Sequence, residues 1–199
     1  MFKHKIFALT LAASFAAPSL ALAHTGHGDA AGFLHGFEHP VGGLDHVLAM
    51  VLVGMLAFQL GGRALLALPL SFVAVMAVGG ALGIAGIEVP FVETGIALSI
   101  VVLGLAVAFR AKAPLFAAMA LVGLFAVFHG HAHGAEMPAD ASGLAYGVGF
   151  MLATALLHAA GLGVGFALAR ASIAAGGAVL RLAGAASAVL GVAILTGIL

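Results

Sequence analysis

Apolar residues in this chain come in long runs, and the polar positions between them are few. After residue 38, six runs follow one another: Pro40 to Leu60, about Ala64 to Ile84, Pro90 to Phe109, Pro114 to about Glu136, Gly143 to Ala169, and about Leu182 to Leu199. Each is close to the ~20 residues that a helix needs to cross the hydrocarbon layer of a bilayer. Three of them open on proline, which suits the first helical position because its missing N–H costs nothing there. Pro69 falls inside the second run and is expected to kink it. The pattern predicts an all-α protein: a polytopic membrane helix bundle with six transmembrane helices, forming one domain over residues 39–199.

The first 23 residues are built differently. Lys3 and Lys5 precede an apolar stretch from Ile6 to Ala17, and Ala21-Leu22-Ala23 supplies an A-x-A cleavage site. They read as a cleaved signal peptide, which puts the mature N-terminus at His24, outside the cytoplasmic (inner) membrane. Residues 24–38, HTGHGDAAGFLHGFE, then form a His-rich periplasmic tail. It reads as a solvated leader in which His24, His27, Asp29 and His35 offer weak metal collection. With that N-terminus outside, Arg63, Arg110, Lys112, Arg170 and Arg181 all fall on the cytoplasmic side. The positive-inside rule is met without an exception.

Composition sharpens this picture. The chain has 64% hydrophobic and 7% charged residues, against about 25% charged in soluble domains. The lipid bilayer is therefore its surrounding. The absence of Cys removes disulfides and thiolate ligands together. A formal net charge of zero gives no electrostatic case for nucleic acid.

Ionisable groups that enter such apolar runs are costly and mark ion or substrate paths. In HGFEHPVGGLDHVLAM, His39 precedes a proline and belongs at the helix cap. His46, Met50 and Gly54 repeat at i, i+4 and i+8 and share a face. Asp45 points about 100° away from His46, as suits a partner of the ligands more than a ligand of the same ion. Glu93 fits two roles, a carboxylate complementing a helix N-terminus or a ligand. His129, His133 and Glu136 fall at i, i+4 and i+7, one face if the helix continues that far, while His131 points the other way. His158 lies mid-span, either hydrogen-bonded to Thr154 one turn earlier or acting as a station deeper on a path. Imidazole with carboxylate suits divalent transition metals. In the expected topology, His39, Asp45, His46, Glu93, His129, His133 and Glu136 gather near the outer ends of three spans.

The segment HPVGGLDH contains H-x5-D-H, and FHGHAHGAE matches F-H-G-x-A-H-G-x-E. With a signal peptide and six spans, these motifs resemble the HupE/UreJ family of hydrogenase- and urease-accessory membrane proteins. The resemblance covers essentially the whole mature chain. It implies a secondary permease rather than an enzyme, taking up Ni²⁺, or in some members Co²⁺, from periplasm to cytoplasm. It places functional weight on His39, Asp45, His46, His129, His133 and Glu136; His131 occupies the variable position of its motif. No cofactor is expected to be permanently bound, since the metal is the transported ion. The implied partners are indirect: hydrogenase, urease or cobalamin metallocentre assembly, with a homo-oligomer compatible. No G-x-x-x-x-G-K-[ST] occurs, so the chain carries no P-loop ATPase, and the membrane potential can drive uptake instead. The rival from another class is an intramembrane Zn²⁺ hydrolase in which Glu93 or Asp45 activates water.

Overall fold

The computed structural model describes residues 29–139, 141–171 and 173–199. The expected signal peptide lies outside the described residues, as do His24 and His27. Among the described residues there are seven helices and no strand: α1 (Asp29–Gly42), α2 (Leu44–Leu60), α3 (Ala64–Ile84), α4 (Val92–Ala108), α5 (Leu115–Ala135), α6 (Gly143–Ala171) and α7 (Ile173–Leu195).

Helices α3, α5 and α6, and α7 from Gly176 onward, are long and apolar enough to cross a membrane. The pair α1 and α2 counts as a fifth if its 82° bend is taken as part of one span. Helix α4 is apolar but has only 17 residues. Helices α2 to α7 are apolar nearly all round, whereas α1 carries Asp29, His35, Glu38 and His39. Phe72, Leu52, Ile100 and Leu103 fill the centre, whereas Leu66, Leu70, Phe116 and Leu144 stand exposed. A helix of this kind belongs in lipid, and the protein is a multi-pass membrane bundle.

Between such helices hydrophobicity gives little preference, so close backbone approach decides the packing. Helix α3 packs along α5, α4 along α7, and α6 along both α1 and α2. A Cβ on Gly130 would overlap the Met76 carbonyl, and one on Gly54 would overlap the His158 carbonyl. These two contacts draw α3 against α5 and α2 against α6 at the depth where the histidines sit. Of the G-x-x-x-G pairs, Gly161 and Gly165 make tight contacts with Val51 and Phe58. Gly147 meets nothing, and Gly143 meets only Met137.

Several expected boundaries are corrected. Asp29 to Glu38 is not an irregular leader but most of α1, and Pro40 is buried near the end of that helix rather than opening a span. Gly32, Gly36 and Pro40 form a stripe of small residues at i, i+4 and i+8. It lets α1 lie on the first turns of α6: a Cβ on Gly36 would overlap the Tyr146 carbonyl. That packing outweighs the poor helix propensity of glycine. The span expected from Pro40 opens instead at Leu44, after Gly43 turns the chain in an extended conformation. Helix α4 opens at Val92 rather than Pro90, behind Phe91 in the left-handed region. Helix α7 opens at Ile173, well before Leu182.

Candidate metal centre

The bend between α1 and α2 creates the site. At the start of α2, the Asp45 Oδ1 accepts the His46 backbone N–H at 2.7 Å, meeting one of the donors that a helix N-terminus leaves open. Asp45 is thereby held at the rim and His46 turns inward. Helix α5 runs unbroken past Gly130 and Gly134, so His129 and His133 share one buried face and Glu136 caps the end. Helix α1 brings His39 across to meet them.

The result is a cavity of ≈520 Å³ lined by seven of the eight residues singled out above: His39, Asp45, His46, Glu93, His129, His133 and Glu136. His35 and Glu38 of α1 also line it, and no Lys or Arg does. Four carboxylates and five imidazoles facing one space, without a cationic side chain, suit a divalent cation.

Within the cavity, His39, His133 and Glu136 bring one donor atom each within 4.8 Å of one another. His39 Nε2 lies 2.8 Å from Glu136 Oε2, and His133 Nδ1 lies 3.8 Å from the same oxygen. Two ligands each ~2.1 Å from one ion stand at most ~4.2 Å apart, so a slight contraction converts this group into a ligand set. The site opens outward, since the Glu136 side chain is 55% exposed.

Behind this group the histidines continue inward. His133 Nε2 lies 3.1 Å from His46 Nδ1, and His46 Nε2 lies 3.2 Å from the Thr154 hydroxyl. The Ser99 hydroxyl donates to the Ile96 carbonyl at 2.6 Å, so its oxygen, 2.9 Å from His129 Nε2, accepts from that ring. A neutral imidazole carries one N–H, which leaves His129 Nδ1 with a lone pair and no hydrogen-bond partner. The Tyr146 hydroxyl donates to the His133 carbonyl, and Phe150 packs 4.6 Å from the His133 ring.

His158 does not reach the cavity. It is 1% exposed, neither ring nitrogen has a partner, and the Phe72 ring stands edge-on to it at 5.2 Å. Thr154, its partner in one of the two readings above, pairs with His46 instead. Asp45 and Glu93 are not in the three-donor group; they share a small side cavity of ≈160 Å³ with Ile194 and Leu195. His131 points away, as its spacing indicated, and its Nε2 donates to the Ile87 carbonyl at 2.8 Å. Sequence reasoning missed Glu38, Ser99, Thr154 as a partner of His46, and Tyr146. A signal existed for Tyr146 and for the face that carries Thr154, though not for the partner of Thr154. Tyr146, Phe150, Thr154 and His158 recur at every fourth residue, so the face carrying His158 could have been followed outward.

Comparison with known proteins gives a consistent answer. The family model described as "HupE / UreJ protein" matches residues 11–194. The chain is 50% identical over 189 residues to Protein HupE of Rhizobium leguminosarum bv. viciae, covering 94% of this chain and 96% of that protein. No solved structure matches. Both the model and the relative extend over nearly the whole length, motifs included, and this protein therefore belongs to the HupE/UreJ family.

Proposed function

We propose that this protein is a secondary permease for divalent transition-metal ions, with Ni²⁺ as the principal substrate and Co²⁺ as the alternative. The observation that carries the reading is the group formed by His39, His133 and Glu136 at the outward end of a membrane bundle. The ion is captured there as substrate. His129, whose Nδ1 has no partner, takes it over at the cavity floor while His46 links His133 to Thr154 behind it, and His158 receives it deeper in α6. A mixed nitrogen and oxygen set that keeps some water releases its ion more readily than a closed tetrahedral cage. Asp45 and Glu93 hold negative potential at the rim and concentrate cations there.

The reading includes six crossings, α2 to α7, with α1 lying across the outer face. At 17 residues, α2 and α4 are at the short end of what spans a bilayer. Arg63 and Arg110 sit in the turns at the end of the bundle opposite the histidines, which supports a periplasmic cavity in the inner membrane. Inward movement then runs down the membrane potential, at ~2.3 kcal/mol per charge per 100 mV and twice that for a divalent ion.

The test is initial-rate uptake of ⁶³Ni and ⁵⁷Co by cells with and without the protein, repeated with the potential collapsed. Uptake that needs the protein and falls with the potential supports the reading. Equal uptake with and without it would sink the reading.

A further inference from the structure

Four buried groups on four different helices touch in a single line that crosses the bundle from the candidate metal centre. His133 of α5 meets His46 of α2 at 3.1 Å, His46 meets Thr154 of α6 at 3.2 Å, and Thr154 meets the Met76 sulfur of α3 at 3.7 Å. Thr154 and Met76 are both 0% exposed. Neither carries a charge or belongs to a His motif, and the transport reading gives them no part.

The far end of this line fixes the near end. A thioether sulfur has no proton, so the contact with Met76 holds only if the Thr154 hydroxyl donates to it. The hydroxyl oxygen is then the acceptor toward His46, whose Nε2 must carry the ring proton. A neutral imidazole has one N–H, so His46 Nδ1 is bare and accepts from His133 Nε2–H. That leaves the His133 proton on Nε2 and a lone pair on Nδ1. His133 Nδ1 is buried, has no hydrogen-bond partner, and faces Glu136 at 3.8 Å. A second direction is self-consistent within the chain. If Thr154 donated to His46 Nε2, both rings would switch tautomer and His133 would present an N–H to Glu136. An N–H cannot ligate a cation. In that direction Met76 would also lose its donor.

We propose that Thr154 and Met76 are positioning residues that set the direction of this hydrogen-bond chain, so that His133 offers its Nδ1 lone pair to a divalent cation held with His39 and Glu136. The proposal rests on the permease reading and adds to it the two groups that keep the metal-binding tautomer in place. Groups that orient an imidazole ligand through its other nitrogen affect metal affinity by about 10–100-fold. Here the orienting group acts through two rings.

The experiment uses the full-length protein purified in detergent, with equilibrium binding of Ni²⁺, and uptake kinetics in cells. Thr154→Val keeps the shape of the side chain and removes the hydroxyl. It is expected to raise the Ni²⁺ dissociation constant and the uptake KM about 10-fold, with Vmax nearly unchanged. Thr154→Ser restores the hydroxyl and should restore affinity. Met76→Leu conserves volume and removes the acceptor; its effect should be smaller and in the same direction. Because both residues act through one chain, Thr154→Val with Met76→Leu should be no worse than Thr154→Val alone. Wild-type affinity in Thr154→Val, loss in Thr154→Ser equal to that in Thr154→Val, or additive losses in the double variant would each overturn the proposal. Should Thr154→Val fail to fold, Met76→Leu decides, and an unchanged dissociation constant there overturns it. If wild-type protein binds no Ni²⁺, the permease reading falls and takes this proposal with it. Loss of binding in His133→Ala with none in Thr154→Val removes this proposal alone.

Discussion

Two levels of the bundle, one helical turn apart, are built on the same four helices. The outer level holds His133, His46, Thr154 and Met76; four residues inward along α5, α2, α6 and α3 stand His129, Met50, His158 and Phe72. At the outer level every residue is tied to the next by a hydrogen bond, and carboxylates stand at its mouth. At the inner level one His129 nitrogen and both His158 nitrogens have no partner, and an aromatic ring lies between the two histidines. Leaving a buried polar group unmet costs ~1–3 kcal/mol, so the inner level is the more strained of the two. The contrast fits a division of labour. In the permease proposed above, the outer level would hold its ligands ready and bind, whereas the inner one would offer lone pairs to a passing ion.

The outer level is the more sensitive of the two to substitution. His133→Ala removes a member of the three-donor group and cuts the link to His46. Ni²⁺ uptake should fall by roughly 100-fold or more, at or beyond the upper end of what loss of a supporting group produces. Uptake rates are to be normalised to membrane abundance by quantitative blotting. A loss below tenfold would move the capture site away from this group.

The inner level makes the opposite demand. His158→Leu replaces two unmet nitrogens by an apolar side chain in an apolar setting, which is neutral or stabilising by ~1 kcal/mol. The variant should therefore melt no lower than wild type in detergent. Ni²⁺ binding at the mouth should be unchanged, while the maximal uptake rate drops by roughly tenfold, equivalent to ~1.4 kcal/mol on the barrier. A more stable protein that moves its ion more slowly is the signature of a transit residue. A variant that melts lower and transports normally would make His158 a packing residue.

What the sequence made legible follows the same division. His46, His129 and His133 were readable because helical spacing alone places them, and an unbroken α5 keeps that spacing. Helix α1 was not, because in Gly32, Gly36 and Pro40 the signals of a close-packed face and of a loose chain are the same residues. The packing that decides between them comes from α6, more than a hundred residues on. The partner of Thr154 was likewise beyond local reading. One turn separates it from His158 on α6, yet it pairs with His46 because Gly54 and Gly161 bring α2 that close. Spacing ranks the residues on one helix, and the partners across helices depend on where backbones can touch.

The smallest effect is expected where the motif is richest in histidine. His131 stands between His129 and His133 in sequence, but two residues along a helix turn the side chain by about 200°, away from the cavity. Its Nε2 donates to the Ile87 carbonyl in the connection between α3 and α4, and this is its one hydrogen bond among the described residues. His131→Ala gives up that bond, worth ~0.5–1.5 kcal/mol net, and should lower the melting temperature slightly. Neither the outer nor the inner level touches it, so KM and Vmax for Ni²⁺ should match wild type. Measured beside His133→Ala at equal abundance, it isolates position from composition, since each variant removes one histidine from the same segment. A loss of uptake in His131→Ala comparable to that in His133→Ala would mean that histidine content at the mouth, and not the face of α5, determines capture.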